Sequence, residues 1–215
     1  ESVTAHPNSP LAEKDSEENF NRTRFDLEAS GWVRFVDVPN LGDEALAWLW
    51  HIVQHYSELP EVVVFVHGHR RAPLHSDVDV VELVRCLCAD GSAGHRLYQS
   101  LNTERSRQTV CFPSSPSKHS KQSPGMGSRR KAKDKFVALR NIISKHWGPF
   151  FSSEFGDSKP DVFCMDCCAQ FLVSRLSIHA HPLGFYARLL EGVRAGRITG
   201  YDMEVFWRLI LHGRA

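Results

Sequence analysis

The sequence predicts an α/β domain, a three-layer sandwich with a mostly parallel central sheet and helices on both faces. Three observations lead there. Trp32 to Val38 (WVRFVDV) alternates apolar and polar residues, as a strand does, and Pro39 closes it. Ala45, Trp48, Leu49, Ile52, Val53 and Tyr56 then recur at i, i+3, i+4, i+7, i+8 and i+11, which is one face of a helix. Directly after it, Val62 to Val66 (VVVFV) is unbroken, apolar and mostly β-branched, which suits a central parallel strand covered on both sides.

Taken in order, residues 1 to 31 are polar, with Pro7, Pro10 and the acidic run EKDSEEN, and read as an extended N-terminal arm. Asn21-Arg22-Thr23 is an N-glycosylation sequon. It has meaning only if the chain enters the secretory pathway, in the lumen or beyond it; otherwise it is a polar loop. In the helix that follows the first strand, Asn40 is placed to cap the first turn, where Asp43 and Glu44 put negative charge favoured by the helix dipole. Leu59-Pro60 ends that helix, because the residue before a proline is pushed out of the helical region. The apolar strand leads into His67-Gly68-His69, with His75 close behind. Ligands of open α/β sheets bind at the carboxyl ends of strands, so these histidines stand where function is usually placed.

A second helix begins at Ser76, with Asp79 as in a capping box, Val80, Leu83, Val84, Leu87 and Cys88 on its buried face, and Gly91 as its stop. Asp77-Val78-Asp79 has two readings. It spells the D-x-D pattern with which sugar-nucleotide transferases hold a divalent metal, and it supplies the negative charge that any helix N-terminus favours. From 102 to 134 the chain is rich in Ser, Pro, Lys and Arg without an apolar period, and reads as a basic insertion loop, either simply solvated or, through Arg129 to Lys135, suited to an acidic partner or phosphates. Phe136, Leu139, Ile142, Ile143 and Trp147 restore a helical face until Gly148-Pro149.

Phe163 to Val173 (FCMDCCAQFLV) holds Cys164, Cys167 and Cys168 ahead of a third central strand, Ala169 to Val173. A structural zinc site needs four ligands, normally from two C-x-x-C pairs, and only one such pair is present. In an oxidising compartment two of the six cysteines could join distant partners such as Cys111; in a reducing one Cys167 and Cys168 serve as small buried hydrophobes. Two helices close the chain: Pro182 to Gly196, with Phe185, Tyr186, Leu189, Leu190 and Val193 on its face, and Tyr201 to Leu211, with Met203, Phe206, Trp207, Ile210 and Leu211. Glu204 lies inside the last pattern, either as a carboxylate paired with Arg175 or Arg208 or as a catalytic base.

At 215 residues and 42% hydrophobic content the chain supports one folded domain, residues 32 to 213, with its own core. A net charge of +1 makes nucleic acid an unlikely partner. No apolar run of about 18 residues is present to cross a membrane. The opening ESVTAHPNSP has no charged n-region or apolar h-region, so no signal peptide is visible, though a chain that does not begin with Met is open to earlier processing.

Asn40-Leu41-Gly42-x-Glu44-Ala45, Tyr56, Leu59-Pro60, Phe65-Val66-His67-Gly68-His69, Cys167-Cys168-Ala169-Gln170-Phe171, Val173-Ser174-Arg175, Phe185-Tyr186 and Glu204-x-x-Trp207 form an ordered set. The set resembles an uncharacterised eukaryotic family, found mainly in fungi and algae, known as a domain of unknown function. The likeness covers roughly residues 32 to 100 and 147 to 213. Its first half is also similar to bacterial polysaccharide-synthesis proteins with a glycosyltransferase A-type fold. That second likeness implies a sugar-nucleotide donor held with Mn or Mg. His67, His75, Asp77 and Asp79 would be the metal ligands, Asn40, Gly42, Glu44, His67 and His69 the donor-binding groups, and Glu204 and Gln170 the catalytic groups at the acceptor. The sequence departs from the resembled family in three ways: Asp43 stands for its usual basic residue, Arg208 for its histidine after the closing Trp, and residues 1 to 31 show no strand-helix unit ahead of Trp32, the unit that carries nucleotide contacts in A-type transferases. Two functions follow. One is a non-catalytic or degenerate glycosyltransferase-like subunit that binds protein partners through its N-terminal arm and basic loop; the other is an active metal-dependent glycosyltransferase.

Overall fold

The structure, a computed structural model, describes residue 39 and residues 41–67, 78–89, 97–102, 109–114, 127–166 and 170–212, with the side chains of 127–133 excepted. The arm, the strand expected at Trp32 to Val38 and Asn40 lie outside those residues. The chain divides into two units, Glu1–Pro39 and Asn40–Ala215, and the elements that follow belong to the second.

Helix α1 (Asp43–His55) buries Ala45, Leu46, Trp48, Leu49 and Ile52, the face its periodicity predicts. Gly42 precedes it in the left-handed region at φ 67° and no side chain caps it. A Cβ at Gly42 would collide with Cγ1 of Val193, and one at Gly200 would collide with the Gly42 carbonyl oxygen. Gly42 is therefore required twice, by its backbone angle and by this close approach.

Strand β1 (Val62–Phe65) leads to helix α2 (Val80–Ala89) and strand β2 (Tyr98–Ser100). Strand β3 (Val110–Pro113) and helix α3 (Gly127–His146) follow, so β3 and the start of α3 fall within the stretch 102–134. After α3 a π-helical turn, Trp147–Phe151, runs into the short helix α4 (Ser152–Phe155). Pro149 has no N–H to continue the α-helical ladder, and the widened turn it forces carries Trp147, Phe150 and Phe151 into the core. Strands β4 (Val162–Met165) and β5 (Phe171–Ser174) and helices α5 (Arg175–His179), α6 (Leu183–Arg194) and α7 (Gly200–His212) complete the order.

The expected parallel sandwich is overturned. Among the described residues the sheets are short and antiparallel: β1, β5 and β2 in that order, and β3 with β4. No parallel central sheet stands among them, so the fold is mixed α/β and rich in helix, and it is not a glycosyltransferase A-type sandwich. The strand at the centre is β5, and β1 lies at the edge of its sheet. The physical reason is that an apolar run reports coverage on two faces and carries no information about strand direction. Val63 and Phe65 face Trp48 of α1 and Trp207 of α7, with Trp48 5.5 Å from Phe65 and 6.0 Å from Trp207. Val62 and Val64 face the other way, onto Leu172, Leu101 and α2 through Val80, Leu83, Val84 and Leu87. Val63 and Phe65 are buried and Val62 and Val64 half-buried, so this edge strand is fully covered on one face only and partly covered by α2 on the other.

The second core layer is aromatic. Phe151 stacks on Phe206 at 4.0 Å, and Phe155, Phe163 and Phe185 close around them. Hydroxyl and guanidinium groups fix the connections: Tyr56 Oη donates to the His181 carbonyl (2.6 Å), Tyr186 Oη to that of Ile178 (2.9 Å), and Arg175 Nη1 to that of Leu59 (3.0 Å). Ser174 Oγ caps α5 by accepting from Ser177 N. No described helix is long and apolar enough to cross a membrane.

A disulfide joins Cys111 of β3 to Cys164 of β4, directly opposite each other in the ladder. It closes a loop across 53 positions, and in the chain-entropy view such a loop stabilises by about 4 kcal/mol. Reduction, or the pair Cys111→Ala with Cys164→Ala, is expected to lower urea-unfolding stability by roughly 2–4 kcal/mol. A midpoint unchanged by dithiothreitol would contradict this.

Candidate functional site

Antiparallel pairing brings the polar strand ends together. Phe171 is opposite both Phe65 and Ser100, so His67 after β1, Asn102 after β2 and Gln170 before β5 gather at one end of the larger sheet. Val110 is opposite Met165, which places Thr109 and Asp166 together at one end of the smaller sheet. Asp166 and Gln170 are close in the chain, and α7 reaches Asp166 and the residue after Gln170: Arg208 pairs with Asp166 and Trp207 packs on Phe171 at 5.5 Å.

Asp166 is the charged centre of this region. Its side chain is 3% exposed, and Arg208 Nη1 lies 3.1 Å from Oδ2 and 3.3 Å from Oδ1. Thr109 Oγ1 donates to Oδ1 at 2.6 Å, and Tyr98 adds its hydroxyl. Burial first, and then the Asp166 carboxylate, hold the Tyr98 hydroxyl well above the usual tyrosine range, so it stays a donor. A carboxylate with three donors is what a buried charge needs to persist. Trp207 Nε1, nearby on α7, is buried with no partner among the described residues.

The structure joins some of the predicted groups and separates others. His67 and Gln170 meet, the His67 amide donating to Gln170 Oε1 at 3.3 Å while the His67 ring stands edge-on to Trp48 at 6.1 Å. Glu204 is half-buried on α7, one turn before Arg208. Of the two arginines nominated for it, Arg208 also pairs with Asp166 and Arg175 donates to the Leu59 carbonyl. Gly42 and Glu44 stand at the start of α1, where Gly42 is closed off by Val193. Asp79 Oδ1 accepts from Val81 N at 2.9 Å, and its carbonyl accepts from Leu83 N, so it caps α2. Asn40, His69, His75 and Asp77 lie outside the described residues. Among the described residues no three His, Cys, Asp or Glu side chains gather to hold a metal ion.

Asp166 carries no sequence motif, because its partners Thr109 and Arg208 lie 57 and 42 positions away; an aspartate closing an apolar strand is the one local signal. Two buried histidine-carboxylate pairs were also missed. His181 Nε2 donates to the Ile210 carbonyl (2.9 Å) and its Nδ1 lies 2.8 Å from Glu154 Oε1. Both ring nitrogens face oxygen atoms, so the imidazole bridges the Glu154 carboxyl group and the backbone of α7. The pair borders an open cavity of about 370 Å³, shared with Phe155, Ser177, Leu211 and His212. His146, 1% exposed, points Nε2 at Asp202 Oδ2 (2.9 Å), and Asp202 in turn forms a capping box with Thr199 at the start of α7.

A family model described as "Protein of unknown function (DUF3431)" matches residues 14–215. No curated protein and no solved structure matches the chain.

Two measurements test this geometry. Asp166→Ala, or Arg208→Ala, breaks a buried pair and is expected to cost about 3–5 kcal/mol in urea unfolding; a loss under about 1 kcal/mol would show that the pair does not hold the strand ends. Burial holds the His146 pKa below its ordinary 6.5 and Lys145 pushes the same way, against the opposing pull of Asp202. The unfolded chain therefore binds a proton near pH 6.5 that the folded chain takes only at lower pH, and stability falls as pH drops through that window. Unfolding midpoints at pH 7.5 and pH 5.5 should differ less in His146→Gln than in the parent.

Proposed function

This chain belongs to the DUF3431 family of proteins of unknown function, and from that premise we propose that its domain is a non-catalytic structural or interaction subunit. The observation that carries the reading is the closure of the strand ends. Asp166, the buried carboxylate there, is engaged by Arg208, Thr109 and Tyr98, and Gln170 receives the His67 amide. Charges paired in this way position loops; a general base or metal ligand needs a lone pair left for the reacting group.

The residues that marked the family resemblance support the same reading. Gly42 admits Val193, Tyr56 and Tyr186 bond backbone carbonyls, Ser174 caps α5, Arg175 ties down the turn after α1, and Trp207 seals β5. Protein partners would be met by the N-terminal arm and the basic stretch 102–134. The disulfide and the Asn21 sequon fit a setting in the secretory lumen or beyond.

The competing reading, a sugar-nucleotide transferase using Mn or Mg through His67 and Asp79, is separated by a thermal-shift screen of nucleotide sugars with and without manganese. A ligand that binds the folded state at about 100 times its Kd stabilises by roughly 2.7 kcal/mol. No manganese-dependent shift with any donor is expected. A shift abolished by Asp79→Asn would overturn the proposal.

A further inference from the structure

We infer that His51 and His55 form a chelating site for a transition-metal ion on the surface of α1, apart from the strand ends. The two residues stand four apart on one helix, where side chains are neighbours, and their ring centroids are 4.8 Å apart. Both are half-buried. Each ring is set edge-on against an aromatic neighbour, His51 against Phe65 at 6.0 Å and His55 against Trp50 at 6.3 Å. Packing of this kind limits rotation before a ligand arrives, which reduces the entropy lost on binding. No hydrogen bond or ion pair engages either imidazole among the described residues.

The ligand class follows from the donors. Neutral imidazole suits copper, nickel and zinc and has little affinity for the hard ions that prefer oxygen. Burial, and then the nearness of His55, lower the pKa of His51 below 6.5, so at neutral pH the ring offers a lone pair and does not first have to lose a proton. Two nitrogens from one helix leave the remaining coordination positions to water or to a group on another molecule.

The test is a titration of the full chain with Cu²⁺, Ni²⁺ and Zn²⁺, read by melting temperature and by calorimetric stoichiometry. Metal at about 100 times its Kd is expected to raise Tm by roughly 5–10 °C. Copper should bind more tightly than nickel or zinc. His51→Ala and His55→Ala should each weaken that binding at least tenfold and remove one equivalent of bound metal. Circular dichroism checks that each variant folds; should the half-buried His51 variant fail, His55→Ala carries the test alone. A folded variant that keeps the parental affinity and stoichiometry overturns the site, because the metal then sits on other histidines, and so does a parent chain that shows no shift with any of the three metals.

Discussion

Burial of β5 on both faces is the constraint from which the other arrangements follow. Phe171, Leu172 and Val173 are 0% exposed, and successive side chains of a strand point to opposite sides, so the strand demands two apolar covers. α1 and α7 supply one through Trp48 and Trp207, and α2 supplies the other. With both faces dry, backbone and side-chain polarity is pushed to the strand ends. That is why His67, Asn102, Thr109, Asp166 and Gln170 collect at those ends.

The interior tolerates charge only in pairs. Asp166 with Arg208, Asp202 with His146 and Glu154 with His181 each tie together elements distant in sequence. A buried charge left alone costs far more than a paired one returns, so such pairs contribute more to a unique arrangement than to net stability. In this protein they lock α7 to the end of β4 and to α3, and α4 to the turn after α5, whose His181 also donates to the Ile210 carbonyl of α7. The last helix thereby becomes the common partner of both sheets, and its N-terminus is pressed against α1 at Gly42 and Gly200, where no side chain would fit.

The same economy explains why sequence signatures of chemistry can belong to architecture. Asp79 sits in a D-x-D pattern, and in the structure its carboxylate caps α2. Arg208, one residue after Trp207, holds a buried aspartate. By contrast, His51 and His55 carried no motif at all, and their pairing emerges from helical geometry and the aromatic neighbours that orient them.

The local elements were determined by the sequence itself. Helical periodicity marked the buried faces of α1, α6 and α7, β-branched content marked β1, and the apolar run ahead of Ser174 marked β5, because secondary structure and burial depend on spacing along the chain. One cysteine pairing was legible as a possibility, Cys111 with a member of the 164–168 group, and the structure selects Cys164. The tertiary structure alone decided strand direction, strand order and the partners of the polar groups. Val62 to Val66 would look the same in a parallel or an antiparallel sheet, since an apolar run carries no information about strand direction or about a central or edge position. Asp166 and Arg208 are 42 positions apart, and no local pattern links them. Pairing of that range is set by which ends of which strands meet, and that is a property of the packed chain.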